Sequence, residues 1–206
     1  YRIDRREEMQ ELADFLGLDL DYFPAVSKFD RKLLNKYNLG LTNAQKACYL
    51  SHYFVLEEII KNDYRNALIL EDDIDIELEI SKIMSDFSHV LPHDWELLYV
   101  GNSYRDNERE VVAENGKFKL HISKLPTTTH SYAVSANGAR KLINDLSPNQ
   151  TRDTIDNELT YRASNGFVKS YTIDPPLMIQ WKSIDNPSDI SSGGRPAHLE
   201  LLNSTK

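Results

Sequence analysis

Six carboxylates fall within nine residues: Glu71, Asp72, Asp73, Asp75, Glu77 and Glu79, with no Lys or Arg among them. A short apolar run, 67–70, leads straight into them. Four apolar residues closed abruptly by acids predict a buried strand whose carboxyl end opens at a surface. In α/β sheets, ligands bind beyond that end of the strands. Carboxylates crowded there repel one another unless a cation lies among them. Hard oxygen donors suit Mg²⁺ or Mn²⁺, ions that take one or two carboxylates plus substrate phosphates. Two other readings fit the same residues. Asp and Glu also favour helix N-termini, so the run could be a strand-to-helix turn with capping acids. The spacing of Asp73, Asp75 and Glu77 hints at a calcium loop, but the central Gly of such a loop is absent.

The elements that must position these acids follow from periodicity. Residues 4–16 predict a helix, with Asp4 as cap, Met9, Leu12, Ala13 and Leu16 on one face, and Gly17 as its stop. An α/β domain would have a strand before this helix; here only three residues precede it, so the first strand is missing or short. Residues 20–26 read as extended and broken at Pro24. The longest helix spans 43–61. Thr42 and Gln45 form its capping box, and Ala44, Ala47, Cys48, Ser51, Val55 and Ile59 make a narrow stripe of small residues for close packing. The acidic strand follows at once. A short helix over 80–87 and a buried strand over 95–100 come next. Asn115-Gly116 between alternating runs predicts a hairpin within 111–122. A strand over 129–135, helices over 138–146 and 153–163, and a strand over 167–173 complete the order. Residues 182–196, rich in Ser, Gly, Asp and Pro, read as a loop or lid.

The 206 residues suffice for one substantial domain, and an apolar content of 40% suits a globular chain. No repeat or linker divides it, so 1–206 is expected to be one domain with a flexible segment over about 183–206. The net charge is −8 and no basic cluster stands out, which argues against a nucleic-acid partner. No apolar stretch approaches membrane-spanning length. The single Cys48 excludes an internal disulfide and, on the sequence alone, a cysteine metal site. Two sequons, at Asn149 and Asn203, are compatible with a secretory route.

Several segments, in this order, resemble glycosyltransferase family 25, which includes lipopolysaccharide and collagen galactosyltransferases. They are Arg2-Ile3-Asp4-Arg5, Leu41-Thr42 through Leu50-Ser51-His52, and Leu68-Ile69-Leu70-Glu71-Asp72-Asp73. Asp94-Trp95 through Tyr99-Val100-Gly101, and Thr129-His130-Ser131-Tyr132-Ala133-Val134-Ser135 with Gly138-Ala139, come next. Pro175-Pro176 and Ser188-Asp189-Ile190 close the set. Asn43-Ala44-Gln45 departs from the family, which commonly has Gly-Glu there. The resemblance implies a GT-A-like, Rossmann-type α/β fold with a mixed central sheet, a UDP-sugar donor (UDP-galactose first), a Mn²⁺ or Mg²⁺ cofactor and inversion at the anomeric carbon. The acceptor would be a glycan or glycoprotein. The compartment would be the ER or Golgi lumen in a eukaryote, or the cytoplasmic side in a bacterium.

Under that resemblance Glu71-Asp72-Asp73 takes the place of the Asp-x-Asp element, with Glu71, Asp73 and Asp75 as metal ligands and Asp72 on the donor. Arg2 and Arg5 could reach a donor phosphate, or stay solvated at a helix start. Asn102 and Ser103 could bind donor hydroxyls. Asp189 could add a contact from a closing loop, with His198 as the alternative metal ligand. Inversion needs a base for the acceptor hydroxyl, and a metal-bound carboxylate suits that poorly. Asp153 and Asp156 are the candidates; Asp153 is favoured as an N-cap facing the helix mouth, although both could simply cap. His52 reads as structural, His130 as either structural or acceptor-lining, and Trp95 as core. Two other classes compete: a metal-dependent phosphoester or nucleotide hydrolase, and a non-catalytic carbohydrate-binding domain on the same fold.

Overall fold

The computed structural model describes residues 2–38, 40–102, 110–150, 153–181 and 200–205. Its helices are α1 (Ile3–Leu16), α2 (Arg31–Leu34), α3 (Asn43–Lys61), α4 (Ile80–Ser88), α5 (Ala136–Asp145) and α6 (Ile155–Ser164). Its strands are β1 (Asn66–Leu70), β2 (Ile74–Ile76), β3 (Leu97–Tyr99), β4 (Val111–Asn115), β5 (Phe118–Ile122), β6 (Ser131–Ser135), β7 (Ser170–Asp174) and β8 (Met178–Gln180).

Six strands form one mixed sheet in the order β1-β6-β3-β7-β5-β4. The β3–β7 pair is parallel and the other neighbours are antiparallel. Alternation along the strands sends side chains to opposite faces. Leu97 and Tyr99, with Tyr132 and Val134, pack under α3, α5 and α6. Leu98 and Val100, with Ala133, pack towards α1, α4 and the small β2–β8 sheet. This is the expected GT-A-like, Rossmann-type α/β class, with helices on both faces of a mixed sheet.

Local chemistry explains the element ends. The Thr42 hydroxyl accepts from the Gln45 N–H, and the Gln45 carboxamide accepts in return from the Thr42 N–H at 3.0 Å, so the predicted capping box is present. The hairpin turns at Gly116, whose φ of 60° a side chain would resist. Buried Glu96, 2% exposed, fastens α5 to the sheet: it accepts from Asn137 at 2.8 Å and the Lys169 backbone N–H at 2.9 Å, and pairs with Lys141.

Several expectations change. Asp4 does not cap α1; Arg2 holds the N-cap position, and Asp4 pairs with it at 2.7 Å. The stripe on α3 is not narrow or made of small residues: Tyr49, Leu50 and Leu56 are fully buried. A second side of α3 is covered by Leu34 of α2, which no stripe of small residues anticipates. β1 is not a fully buried strand. Among the described residues it stands at the sheet edge, with Ile69 buried and Leu68 41% exposed. Residues 20–26 form no strand. Among the described residues no strand precedes α1, and no helix is long and apolar enough to cross a membrane. The predicted loop over 182–196 lies outside the described residues; within the segment expected to be flexible, Asn203 and Ser204 hydrogen-bond to Glu77 and Asp75.

Candidate active site

The chain leaves β1 at Glu71, whose N–H still donates to the His130 carbonyl at 2.9 Å. That bond turns the Glu71 carboxylate towards the partner elements. It accepts from the Thr129 hydroxyl at 2.8 Å and lies 3.4 Å from His52 Nε2. Burial pushes its carboxyl up. The His52 hydrogen bond, the His52 charge and the Thr129 hydroxyl outweigh that and bring it down to about 2.

Asp73 is the opposite case. It is 6% exposed, and burial together with the Glu71 charge pushes it up to about 7, against the opposing pull of Arg5 and Gln180. Arg5 lies 3.6 Å away. Gln180 donates to Asp73 at 3.1 Å, a contact set by the pairing of β2 with β8, which aligns Ile74 with Gln180. Asp72 is half exposed and accepts from Arg5 at 2.8 Å. The guanidinium of Arg5 is therefore buried between two acids rather than solvated.

The acid run then divides. Asp75 and Glu77 do not join the others: they are 1% and 0% exposed and serve the 203–205 segment. Asp75 accepts from the Ile76 N–H at 2.8 Å, the Ser204 hydroxyl at 2.5 Å and the Thr205 hydroxyl. Glu77 accepts from the backbone and side-chain N–H groups of Asn203, both at 2.9 Å. Asp75, one of the expected metal ligands, is thus placed in hydrogen bonds with 204–205. The Asn203 sequon is held in the same network.

A second wall comes from the other end of the chain. Thr154, not Asp153, is the N-cap of α6. Asp153 sits one residue earlier, exposed, and accepts from Asn157 at 2.9 Å and from the Thr154 N–H at 2.7 Å, which hold its carboxyl below the usual range. Asp156, in the first turn, is half-buried. Burial first, and then the Asp156 charge, push up the Tyr99 hydroxyl. The Cys48 thiol is raised by burial and by Glu71, Asp156 and Asp73. Asp156 thus acts through its charge on Tyr99 and, with Glu71 and Asp73, on Cys48.

Between the walls, β3 runs out at Gly101. A methyl group there would meet Ser131 Oγ at 2.2 Å, His130 Nε2 at 2.3 Å and the Met178 carbonyl at 2.5 Å, so only Gly lets these strands close. His130 is buried, with Nδ1 2.8 Å from the Thr128 hydroxyl, and Thr128 takes the unusual φ of 70°. Asn102 is buried, and its carbonyl oxygen accepts from the Thr127 N–H at 2.7 Å, so it shapes this loop. Arg2 is engaged by Asp4. Trp95 packs against the core as expected. Ser103, Asp189 and His198 lie outside the described residues. Gln180 carries no motif, and Thr129 and Cys48 lie within segments that gave them no role of their own; the four-residue spacing of Cys48 and His52 on α3 signals that they share a face.

Glu71, Asp72 and Asp73 offer hard oxygen donors, and Asp73 is pushed up to about 7 by burial first and then by the Glu71 charge, beyond what Arg5 and Gln180 offset. That deficit fits a divalent cation of the Mn²⁺ or Mg²⁺ type.

A mixed sheet with helices on both faces, and carboxylates at a strand's end, defines a GT-A-like domain. The chain belongs to glycosyltransferase family 25: the sequence model described as Glycosyltransferase family 25 (LPS biosynthesis protein) matches residues 2–157. It is 29% identical over 165 residues to a Glycosyltransferase 25 family member of Aedes aegypti, covering 70% of this chain and 26% of that protein. Procollagen galactosyltransferase 1-B of Xenopus laevis is 28% identical over 165 residues, with the same coverage. A human protein named Inactive glycosyltransferase 25 family member 3 is 31% identical over 164 residues, covering 69% of this chain and 27% of that protein. The chain spans about a quarter of the length of these curated relatives.

Proposed function

We propose that this chain carries a glycosyltransferase site that moves a hexose, galactose first, from a UDP-sugar to a hydroxyl of a glycan or glycoprotein, with inversion. The observation that carries this reading is the acid triplet at the end of β1: Asp73 is buried beside Glu71 and pushed up to about 7, and the buried Arg5 guanidinium lies against both Asp72 and Asp73. Asp73, with Glu71 or Asp72, would hold Mn²⁺ or Mg²⁺. When bound, the ion supplies charge neutralisation for the leaving nucleoside diphosphate.

The chain's own groups do the rest. Arg5 keeps Asp72 and Asp73 in place and offsets part of their repulsion. His52 and Thr129 hold Glu71 ionised and oriented. Asp156 takes the proton of the acceptor hydroxyl as the new glycosidic bond forms, since it is half-buried in the first turn of α6 and stands outside the acid triplet. Asp153 is poorly suited to that task because its carboxylate is exposed and occupied by Asn157 and Thr154.

The test is a panel of nucleotide sugars and hydroxyl acceptors followed by UDP release, with and without Mn²⁺. Acceptor-dependent release from UDP-galactose supports the reading. Release that ignores the acceptor points to a hydrolase. The relative named inactive favours one further reading, a non-catalytic sugar-binding domain. Calorimetry with UDP separates it, because a pure scaffold binds no nucleotide in a metal-linked way.

A further inference from the structure

Cys48 and His52 are one helical turn apart on α3, so their side chains stand on one face. Glu71 arrives beside them from the end of β1. The sulfur of Cys48, a ring nitrogen of His52 and a carboxylate oxygen of Glu71 all lie within 4.8 Å of one another. The His52 ring is 6% exposed and is steadied from behind: Nδ1 is 3.0 Å from the Tyr132 hydroxyl, which leaves Nε2 turned to Glu71. An imidazole oriented through one nitrogen so that the other faces a thiol and a carboxylate matches the outer support that metal ligands need. Cys48 forms no disulfide.

We propose that Cys48, His52 and Glu71 form a binding site for a zinc-type ion, distinct from the hard-oxygen site at Asp73 but sharing Glu71 with it. The thiolate and imidazole select Zn²⁺ over Mg²⁺ or Mn²⁺, which prefer oxygen. A Cys48 thiolate and an ionised Glu71 bring two negative charges to a divalent ion, so the half-buried place is left near neutral. The thiol proton leaves to solvent as the sulfur–metal bond forms, and the Nε2 proton of His52 is lost to solvent or moves to Nδ1 beside the Tyr132 hydroxyl. Zinc bonds of about 2.3 Å to sulfur and about 2.0 Å to nitrogen set ligand-to-ligand distances of about 3.5 Å, so side-chain movements of about 1 Å close the site. The fourth position stays open to water. Zinc held here draws Glu71 away from the donor side and opposes Mn²⁺-linked nucleotide binding. That consequence rests on the function proposed above; the site itself rests only on the three side chains.

The test is a Co²⁺ titration of the metal-free protein followed by absorption. A near-ultraviolet thiolate-to-cobalt band that saturates at one ion per chain and is displaced by Zn²⁺ is expected. Cys48→Ser abolishes the band, and Tyr132→Phe weakens Zn²⁺ binding roughly tenfold or more, the usual loss for an outer-shell partner. Neither change removes Mn²⁺-linked UDP binding. Absence of a thiolate band in the wild-type protein overturns the site, as does an unchanged band in Cys48→Ser. Zn²⁺ binding that leaves Mn²⁺-linked UDP binding untouched overturns the sharing of Glu71. If UDP fails to bind with any metal, the proposed function falls, while the cobalt spectrum still decides the site.

Discussion

Arg5 Nη1 donates to the Asp72 carboxylate at 2.8 Å across 67 positions of sequence, tying the first helix to the acid triplet. Because Arg5 is buried, its removal leaves Asp72, Asp73 and Glu71 with little positive charge nearby. Arg5→Ala is expected to lose roughly 2–4 kcal/mol of stability, less than a fully buried pair would because Asp72 is half exposed. Mn²⁺ should restore part of the loss. Urea unfolding with and without Mn²⁺ checks this; a variant as stable as wild type would contradict it.

Asp73→Asn should keep the fold and lose Mn²⁺-linked UDP binding. The neutral amide can still meet Gln180, and it removes a carboxylate that burial and Glu71 already disfavour. Calorimetry with UDP is the measurement, and metal-linked binding of normal affinity in the variant would refute the assigned role.

Asp75→Ala separates anchoring from metal binding. Its oxygens hold Ser204 and Thr205, so the variant is expected to lose about 1–3 kcal/mol through broken hydrogen bonds. Hydrogen exchange should show 203–205 released. The Mn²⁺ dependence of UDP binding should not change; if it disappears, Asp75 belongs with the ligands after all.

Asp156→Asn and Asp153→Asn should part company. The first is expected to drop turnover by roughly 10²–10⁴-fold, the scale of general-base loss, with Mn²⁺–UDP affinity kept. The second should lose only local support for α6, about 1 kcal/mol or less. Equal turnover in both variants would place the base elsewhere.

The order of helices and strands could be read from the chain because local chemistry writes it. Thr42 with Gln45 caps α3 whatever lies around it, and Asn115-Gly116 turns the hairpin through its own backbone preference. The apolar run into Glu71-Asp72-Asp73 likewise announced a strand ending in carboxylates. The failures sit where a local signal had two outcomes: Asp4 and Asp153 are both good caps, and each found a closer partner in Arg2 or in Asn157 and Thr154.

What the sequence by itself determined is therefore most of the elements and the presence of an acid-rich strand end, while α2 and the β2–β8 pair were not legible in it. Which acids act together was decided only by tertiary structure. Glu71 and Asp73 look alike in the chain, yet His52 and Thr129 hold one at about 2 while burial lifts the other to about 7. Asp75 is two residues from Asp73, yet it serves the chain's far end. The physical reason is that these partners come from α3, β8 and 203–205, tens of residues away or more. The energy of a carboxylate depends on the charge and dielectric around it, and long-range pairing alone sets those.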